Sequence, residues 1–490
     1  MLVSELISRS GAKPAAVSGD AEVTSLTSDS RDVKPGALFV CMPGKNQDSH
    51  KFIPQAVASG AVAVVAHSQE GFDAARRIGV AAMWAPAEPF RDLIWRLAKE
   101  FHGNLTQRMM VVGVTGTNGK TTTAWVIRDM LVAAGRQAAY IGTLGIQTPK
   151  QERLLENTTP LPIEMNNLIA ECAADGSDSL AMEVSSHALT EHRADGIEFD
   201  AAVFTNLTQD HLDFHGSMEE YEKAKLRLFT DFPPQSSKHF TAAINVDDPI
   251  GAKWFDNLKT SKIAYGIDSG VLKCHPEEIA LDHLILNFCY SGRTVQTTAH
   301  LGGTFNVYNC LSAVAGFMAM GFTMDQAAEA LTSAKPVPGR FEAVPNNKGI
   351  GIIVDYAHTP DALEKLLEST RKLDHKRIIT VFGCGGDRDS NKRPKMARAA
   401  SEFSDVTVVT SDNPRTEDPQ SILDQVAAGL VPNKEAVNII DRREAIKYAV
   451  DHAKPGDIVV IAGKGHENYQ IIGRTKHPMD DRELAREALG

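Results

Sequence analysis

The feature that most constrains this chain is a change of texture between residues 109 and 131. An apolar run at residues 109–114 gives way to Gly116-Thr117-Asn118-Gly119-Lys120-Thr121-Thr122, after which Val126, Ile127, Met130 and Leu131 recur at helical spacing. Glycine at 116 and 119 lets the backbone approach closely, so that its N–H groups and the N-terminus of the following helix can cradle phosphate oxygens. Lys120 is placed to neutralise β- and γ-phosphates, and Thr121 to reach a divalent cation. The strict form of the loop has glycine five residues before Gly119; Val114 stands there, so the match is incomplete. Gly135 supplies a helix stop and residues 138–141 a further apolar strand. Strand, loop, helix and strand make the βαβ unit of a parallel α/β sheet.

A chain of 490 residues is too long for one hydrophobic core, and length alone favours about three domains. Its net charge of −11 argues against general electrostatic attraction to nucleic acid. Anions must therefore be held by locally concentrated Lys, Arg and backbone N–H groups. Cys41, Cys172, Cys274, Cys289, Cys310 and Cys384 form no CxxC pair, which leaves neither a zinc pattern nor a disulfide framework. No basic-then-apolar leader opens the chain and no run approaches a membrane span. A cytoplasmic enzyme is expected.

Residues 1–88 hold β-like runs at 37–42 and 61–66, and residues 90–102 read as a helix leading into the phosphate-loop unit. Lys335-Pro336-Val337-Pro338-Gly339 marks a second boundary. Beyond it, apolar runs at 350–354, 377–382, 406–410 and 458–462 alternate with helical patterns, giving a second α/β sheet. Each run exits into a polar loop: Asp355-Tyr356-Ala357-His358, residues 383–389, residues 412–415 and residues 463–467. Loops at the carboxyl ends of parallel strands converge on a crevice, so a binding site is predicted there.

Two further segments follow apolar runs, Met182-Glu183-Val184-Ser185-Ser186-His187 and the stretch from Asn206 to Gly216 that contains His211. A carboxylate and an imidazole near phosphates suit a divalent cation, although His211 taken alone serves equally as a capping or core residue.

TGTNGKTT, MEVSSH, NLTQDHLDFHG and the Tyr221, Ala224, Lys225, Leu228, Phe229 pattern occur in this order, followed by Gly303 to Asn309, Pro338 to Glu342, DYAHTPDAL and GCGGDRD. Together they resemble the Mur ligases over nearly the whole chain. The resemblance implies a small N-terminal α/β UDP-substrate domain (residues 1–88), a central P-loop ATPase parallel-sheet domain (89–335) and a C-terminal Rossmann-like amino-acid-binding domain (336–490). It implies that ATP phosphorylates the terminal carboxylate of a UDP-N-acetylmuramoyl peptide and that an amine attacks the acyl phosphate, with Mg²⁺ as cofactor. Lys120 then holds phosphates, Thr121, Glu183 and His211 surround Mg²⁺, and Lys225 corresponds to a carbamoylated lysine and metal ligand.

By the same resemblance, Gly116 to Thr122 with Asn306, Asn309, Arg340 and Asp355 contact the nucleotide, which His358 borders. Ser28, Ser30, Lys45, Asn46 and Gln47 belong to the uridine and pyrophosphate region, and Asn157, Thr158, Thr159, Ser185 and Arg193 grip the muramoyl peptide. Arg193 suits the carboxylate of a D-Glu terminus. Glu191 departs from the Gln expected there, and a carboxylate at that position repels an anionic substrate unless it is protonated, paired or turned away.

Asp412-Asn413-Pro414-Arg415 resembles the signature of ligases that add meso-diaminopimelate to UDP-N-acetylmuramoyl-L-alanyl-D-glutamate. The chemistry agrees: diaminopimelate ends in an ammonium and a carboxylate where lysine has only the ammonium. Arg415 and Arg388 suit the extra carboxylate. Glu467, with Asp412 or Asn413 and the neighbouring Gly463, faces the ammonium. Asp480 to Glu483 reads as an exposed, structural helix start. The alternatives are a sibling ligase, a folylpolyglutamate synthase, or a P-loop switch that hydrolyses ATP to change partners; a monomer is expected.

Overall fold

The computed structural model describes residues 1–44 and 48–490; Lys45, Asn46 and Gln47, read above as part of the pyrophosphate region, lie outside the described residues. Contacts divide the chain into two compact units, Met1–Val271 with Ala315–Thr323, and Leu272–Val314 with Met324–Gly490.

The first unit carries two sheets. One has five strands in the order Ala16–Ser18, Ala81–Trp84, Ala61–Ala66, Ala37–Val40, Ser25–Thr27, parallel except at the first pair. The other runs Ser261–Gly266, Thr241–Asn245, Ala201–Phe204, Met110–Thr115, Ser179–Glu183, Ala138–Gly142, and these six are parallel. Gly145–Gln147 and Glu152–Arg153 extend that edge antiparallel. Met110–Thr115 is central and buried along nearly its whole length, which is why its sequence is continuously apolar rather than alternating. From this strand the chain builds outward on one side through Ala138–Gly142 and Ser179–Glu183. It then returns to build the other side from Ala201–Phe204. That reversal opens a crevice at the carboxyl end of Met110–Thr115, where the glycine loop emerges.

The helix after the loop spans Lys120–Ala133. It ends as its sequence predicts: Gly135 has φ +84°, with Gly135 N donating to Val132 O and Arg136 N to Leu131 O, both at 3.0 Å. This is a Schellman cap with glycine at the left-handed position.

In the second unit, Leu272–Ile279, Leu284–Tyr290 and Arg293–Ala299 form an antiparallel meander. A six-stranded sheet follows in the order Glu342–Ala343, Gly351–Asp355, Ile458–Ala462, Ile378–Cys384, Val406–Ser411, Glu435–Asn438, parallel after its first pair. Apolar clusters cover both faces of this sheet, one including Ile353, Phe382 and Val460, the other Val354, Val381 and Val459. The predicted strands thus form, each within two residues of its expected ends.

One expectation is corrected. The run at 480–483 is not wholly exposed: Asp481 opens the helix Asp481–Leu489 but is itself fully buried, bonded to an equally buried Arg442 at 2.6 and 2.8 Å. Arg442 also donates to Ser411 O (3.3 Å) and Ala462 O (3.0 Å). A buried ion pair persists when its remaining hydrogen-bonding capacity is used, and here it is used on the ends of two strands whose loops carry Asp412 and Gly463.

In the first unit, Glu198 is 4% exposed and gathers Lys99 Nζ (3.0 Å), Asn104 Nδ2 (2.7 Å) and the Ser237 N–H (3.2 Å). Burial pushes its carboxyl up, but the hydrogen bonds from Asn104 and Lys99 outweigh that and hold it at about 2, against an ordinary 4.5. Because the folded value is depressed, this stabilisation is complete above about pH 4.5 and is lost as pH falls towards 2. Glu198→Gln should therefore melt below the wild type at pH 7. Thermal unfolding followed by circular dichroism should show the gap closing between pH 4.5 and 2.

Candidate active site

The glycine loop is preformed by its neighbours. Gly116 has φ +152°, and a Cβ there would lie 1.9 Å from Thr205 Oγ1. Thr117 N donates to Asn206 O (2.8 Å), Asn118 N to Asn206 Oδ1 (3.0 Å), and Thr117 Oγ1 to Thr208 O (3.2 Å). Lys120 Nζ bends back onto Gly116 O (3.0 Å) and Thr117 O (2.8 Å).

Lys225 arrives from the helix Met218–Thr230 and is 1% exposed. Its Nζ donates to the same Gly116 O at 2.7 Å. Burial, reinforced by the charge of Lys120 and opposed by Asp210, holds the Lys225 amine well below its ordinary value. The shift favours the neutral, nucleophilic form of the amine.

Glu183 ends the strand Ser179–Glu183 with no exposed surface. It accepts from Thr121 Oγ1 (3.0 Å), Tyr140 OH (2.5 Å), Thr143 N (2.8 Å) and Thr143 Oγ1 (3.2 Å). His211, with φ +52°, caps the short helix Leu212–His215, its ring 4.7 Å from that of His187. Burial lowers its pKa, Asp210 opposes, and Lys120 and Lys225 lower it further, so neutral imidazole is favoured. The hard oxygens that Thr121 and Glu183 bring together in the interior fit a Mg²⁺ ion in donor chemistry.

Along the same crevice, Thr159 Oγ1 donates to Glu183 O (2.9 Å) and accepts from Ser185 N (3.1 Å). Thr158 Oγ1 lies 3.1 Å from Thr143 Oγ1. Asn157 and Ser185 are half-buried, and Ser185 caps the helix Ser186–Thr190. Arg193 is bound by Glu191 through Nε (2.8 Å) and Nη2 (2.5 Å) and by Thr159 O through Nη1 (3.1 Å). The Glu191 carboxylate is thus paired. In the first sheet, Ser28 and Ser30 lie half-buried in the turn after Ser25–Thr27, where Asp29 pairs with Arg31.

The second unit carries the remaining residues. Asn306 donates to Gly302 O (2.7 Å) and accepts from Asn309 Nδ2 (2.7 Å). Asp355 accepts from Phe341 N and Ala357 N, both at 2.7 Å, and Arg340 lies over the Tyr356 ring at 4.5 Å. His358 stands 4.7 Å from the same ring.

The loops at 383–389 and 412–416 are zipped together. Gly386 passes Pro414 so closely that a Cβ would sit 1.9 Å from its carbonyl oxygen. Arg393, 1% exposed, grips both oxygens of Glu417 at 2.9 Å, and Glu417 accepts from Asp387 N. Arg415 has φ +52°, costly for a side chain of that size. Its N–H donates to Ile471 O (3.0 Å), its carbonyl accepts from Gly473 N (2.7 Å), and Nη1 donates to Gly386 O (2.8 Å). Arg388 is exposed. Glu467 Oε2 accepts from Asn413 Nδ2 (3.0 Å) and from Lys464 Nζ (3.1 Å), a lysine with no exposed surface. Asp412 Oδ2 lies 2.9 Å from where a Gly463 Cβ would stand. The Tyr469 phenol registers this charge pattern: burial raises its pKa, Glu467 and Asp412 add, and Arg415 opposes.

Three family models match in order: the Mur ligase family catalytic domain over residues 22–101, the Mur ligase middle domain over 114–316 and the Mur ligase glutamate ligase domain over 339–465. The UDP-N-acetylmuramoyl-L-alanyl-D-glutamate–2,6-diaminopimelate ligase of Syntrophomonas wolfei subsp. wolfei is 42% identical over 478 residues, covering 96% of this chain and 95% of its own. The chain belongs to the Mur ligase family. A solved structure of a ligase with that same name superposes at TM-score 0.67 with 32% identity, covering 95% of this chain and 94% of the other. The MurF ligase from Thermotoga maritima in complex with ADP gives TM-score 0.65 at 20% identity over 95% of this chain and 97% of its own, a likeness of fold.

Within this Mur ligase, sequence reasoning missed the residues that hold others in place. Tyr140 and Thr143 orient Glu183, Lys464 orients Glu467, and Arg393 with Glu417 braces the loop of Arg388. Thr143 directly follows an apolar strand and Lys464 stands inside the glycine-flanked run at 463–465, so both had a local signal. Arg393 sits on a charged helix and had none.

The geometry at Gly116 has a measurable consequence. Gly116→Ala must displace Thr205 or the loop, a strain of about 1–3 kcal/mol for a side chain forced into this backbone region. ADP affinity measured by calorimetry should fall at least about tenfold for the same distortion. Unchanged affinity would show that the loop does not cradle phosphate.

Proposed function

We propose that this Mur ligase joins meso-diaminopimelate to UDP-N-acetylmuramoyl-L-alanyl-D-glutamate at the expense of ATP, as a cytoplasmic monomer making a peptidoglycan precursor. The observation that carries the choice of amine is geometric: Asn413, bonded to Glu467 at 3.0 Å, and Arg415 both fasten to the backbone of Ile471, at 2.9 and 3.0 Å, which gathers an anion and a cation at the same strand ends, beside Tyr469. There Arg415 supplies a cation for a carboxylate, while Asp412 and Glu467 supply anions for an ammonium. The identity to diaminopimelate-adding ligases over nearly the whole chain supports the same reading. Among the described residues no helix is long and apolar enough to cross a membrane. We divide the work along the chain as 1–88 for the UDP substrate, 89–335 for ATP and 336–490 for the amino acid.

A carboxylate resists nucleophiles because its carbon is electron-rich and its leaving group is poor. A carboxylate oxygen of the D-Glu residue attacks the γ-phosphorus and ADP departs. The amine nitrogen then attacks the acyl carbon, the C–O bond to phosphate breaks, and the nitrogen gives up a proton as the amide forms. The chain's part is positioning and charge. The Gly116 to Thr122 backbone and Lys120 hold the phosphates of ATP, and Asn306, Asn309, Arg340 and Asp355 serve the rest of the nucleotide. Arg193, with Asn157, Thr158, Thr159 and Ser185, receives the muramoyl peptide, and Ser28 and Ser30 its uridine end, beside Lys45, Asn46 and Gln47. Thr121, Glu183 and His211 would hold Mg²⁺, which when bound neutralises phosphate charge. The Lys225 amine, its neutral form favoured by burial, is suited to adding CO₂: an N–C bond forms, a proton leaves to solvent, and a carbamate anion results that could act as a further metal ligand.

Phosphate release should require ATP, the UDP-muramoyl dipeptide and diaminopimelate together, with lysine a poor replacement. Arg415→Ala should lower kcat/KM for diaminopimelate roughly 100-fold or more, because its carboxylate loses a charged partner, with KM for ATP within about twofold. Phosphate release from ATP alone at the full rate would instead mark a P-loop switch.

Lys225→Ala should reduce kcat by about 100-fold or more, and Lys225→Arg should not restore it, since a guanidinium forms no stable carbamate. Enzyme stripped of CO₂ should lose activity and recover it with bicarbonate. Full turnover by Lys225→Ala would overturn this role.

A further inference from the structure

The helix Ser186–Thr190 ends in a Schellman cap. Arg193 N donates to Ala188 O (2.8 Å), His192 N donates to Leu189 O (3.4 Å), and His192 takes the left-handed position with φ +60°. This turn brings the side chains before and after His192 to the same side. Glu191 consequently places one oxygen, Oε2, against the Nε–Nη2 edge of Arg193, an edge on which a guanidinium can also bind a carboxylate side-on through two oxygens. Both partners are mostly buried, with 16% of the Arg193 and 29% of the Glu191 side chain exposed. The pair borders the crevice: Arg193 Nη1 rests on Thr159 O, Thr159 is bonded to the Glu183 carbonyl, and both charges act on His187, whose ring neighbours that of His211.

We propose that Glu191 is an internal competitor for the anion site on Arg193, occupying the guanidinium until the terminal carboxylate of the muramoyl peptide displaces it. This rests on the reading of Arg193 as the receiver of that carboxylate. Three physical effects follow. A carboxylate tethered two residues away competes at a high effective concentration, so only a ligand whose anchoring elsewhere places its own carboxylate well can exchange with it. Meanwhile Arg193 stays paired and ordered in the empty enzyme, instead of standing as a mostly buried, uncompensated cation. Once displaced, the Glu191 carboxylate lies beside the incoming anion and repels it. Glu191 thus exchanges affinity for discrimination between a correctly seated carboxylate and any other anion.

The test is calorimetric titration of UDP-N-acetylmuramoyl-L-alanyl-D-glutamate into wild type, Glu191→Gln, Glu191→Ala and Arg193→Ala, with ADP titrated into each to check the fold. Removing the competing charge should lower Kd for the muramoyl dipeptide about three- to tenfold in Glu191→Gln and at least as much in Glu191→Ala. It should also raise relative affinity for inorganic phosphate as a poorly anchored anion, while Arg193→Ala binds the dipeptide more weakly. Equal dipeptide binding by Arg193→Ala and wild type would sink the reading of Arg193 itself. Weaker binding by Arg193→Ala, together with unchanged or weaker binding by both Glu191 variants, would leave that reading standing and overturn the competitor role in favour of Glu191 as a fixed support.

Discussion

Two lysine side chains end on one carbonyl oxygen, that of Gly116, and much of the first unit's chemistry follows from this arrangement. Lys120 comes from the loop's own helix and Lys225 from a helix more than one hundred residues later. Two ammonium groups cannot share a small buried volume without cost, so the deeper one is driven toward neutrality. The loop therefore has two different amines: that of Lys120, on the loop's own helix, and the buried one of Lys225, whose neutral form is favoured. The Gly116 oxygen can serve both because Gly116 itself has no side chain to separate its backbone from Thr205.

The fold was legible wherever apolar periodicity is local. The strand entering the loop, the Gly135 stop and the four strands of the second parallel sheet all lie close to where the sequence puts them, since parallel strands buried on both faces read as continuous apolar runs. The candidate site was legible as a set of loops at strand ends, and the structure brings Thr121 to Glu183, and Asn413 to Glu467. What stayed hidden was pairing across sequence. Tyr140 reaches Glu183 across 43 residues, Arg442 reaches Asp481 across 39, and no local pattern links either pair. Asp481 shows the cost of reading a charge run as a solvated face: its neighbours Asp480 and Arg482 are half-buried and paired with each other, and its own partner lies inside. Glu191 is the opposite case, with its partner only two residues away. Their pairing depends on a left-handed residue between them that the sequence alone does not announce.

The charged loops of the second unit carry compensated charges rather than isolated ones. Lys464 has no exposed surface and shares Glu467 Oε2 with Asn413. In the proposed amine site, Asp412 and Glu467 against Lys464 would leave about one negative charge for an ammonium, and Arg415 one positive charge for a carboxylate. The backbone bonds on both sides of Arg415, to Ile471 and Gly473, hold a conformation that the residue would not choose by itself.

The buried contact between Arg442 and Asp481 places the helix Asp481–Leu489 among the supports of the loops that carry Asp412 and Gly463. Arg442 ties down the ends of the strands that lead into Asp412 and Gly463, and Asp481 is the anion that allows Arg442 to remain in the interior. The helix Asp481–Leu489 is thus a structural support. Loss of the segment that carries Asp481 should therefore leave the phosphate loop intact while the loops of Asp412 and Gly463 lose the anion beneath them.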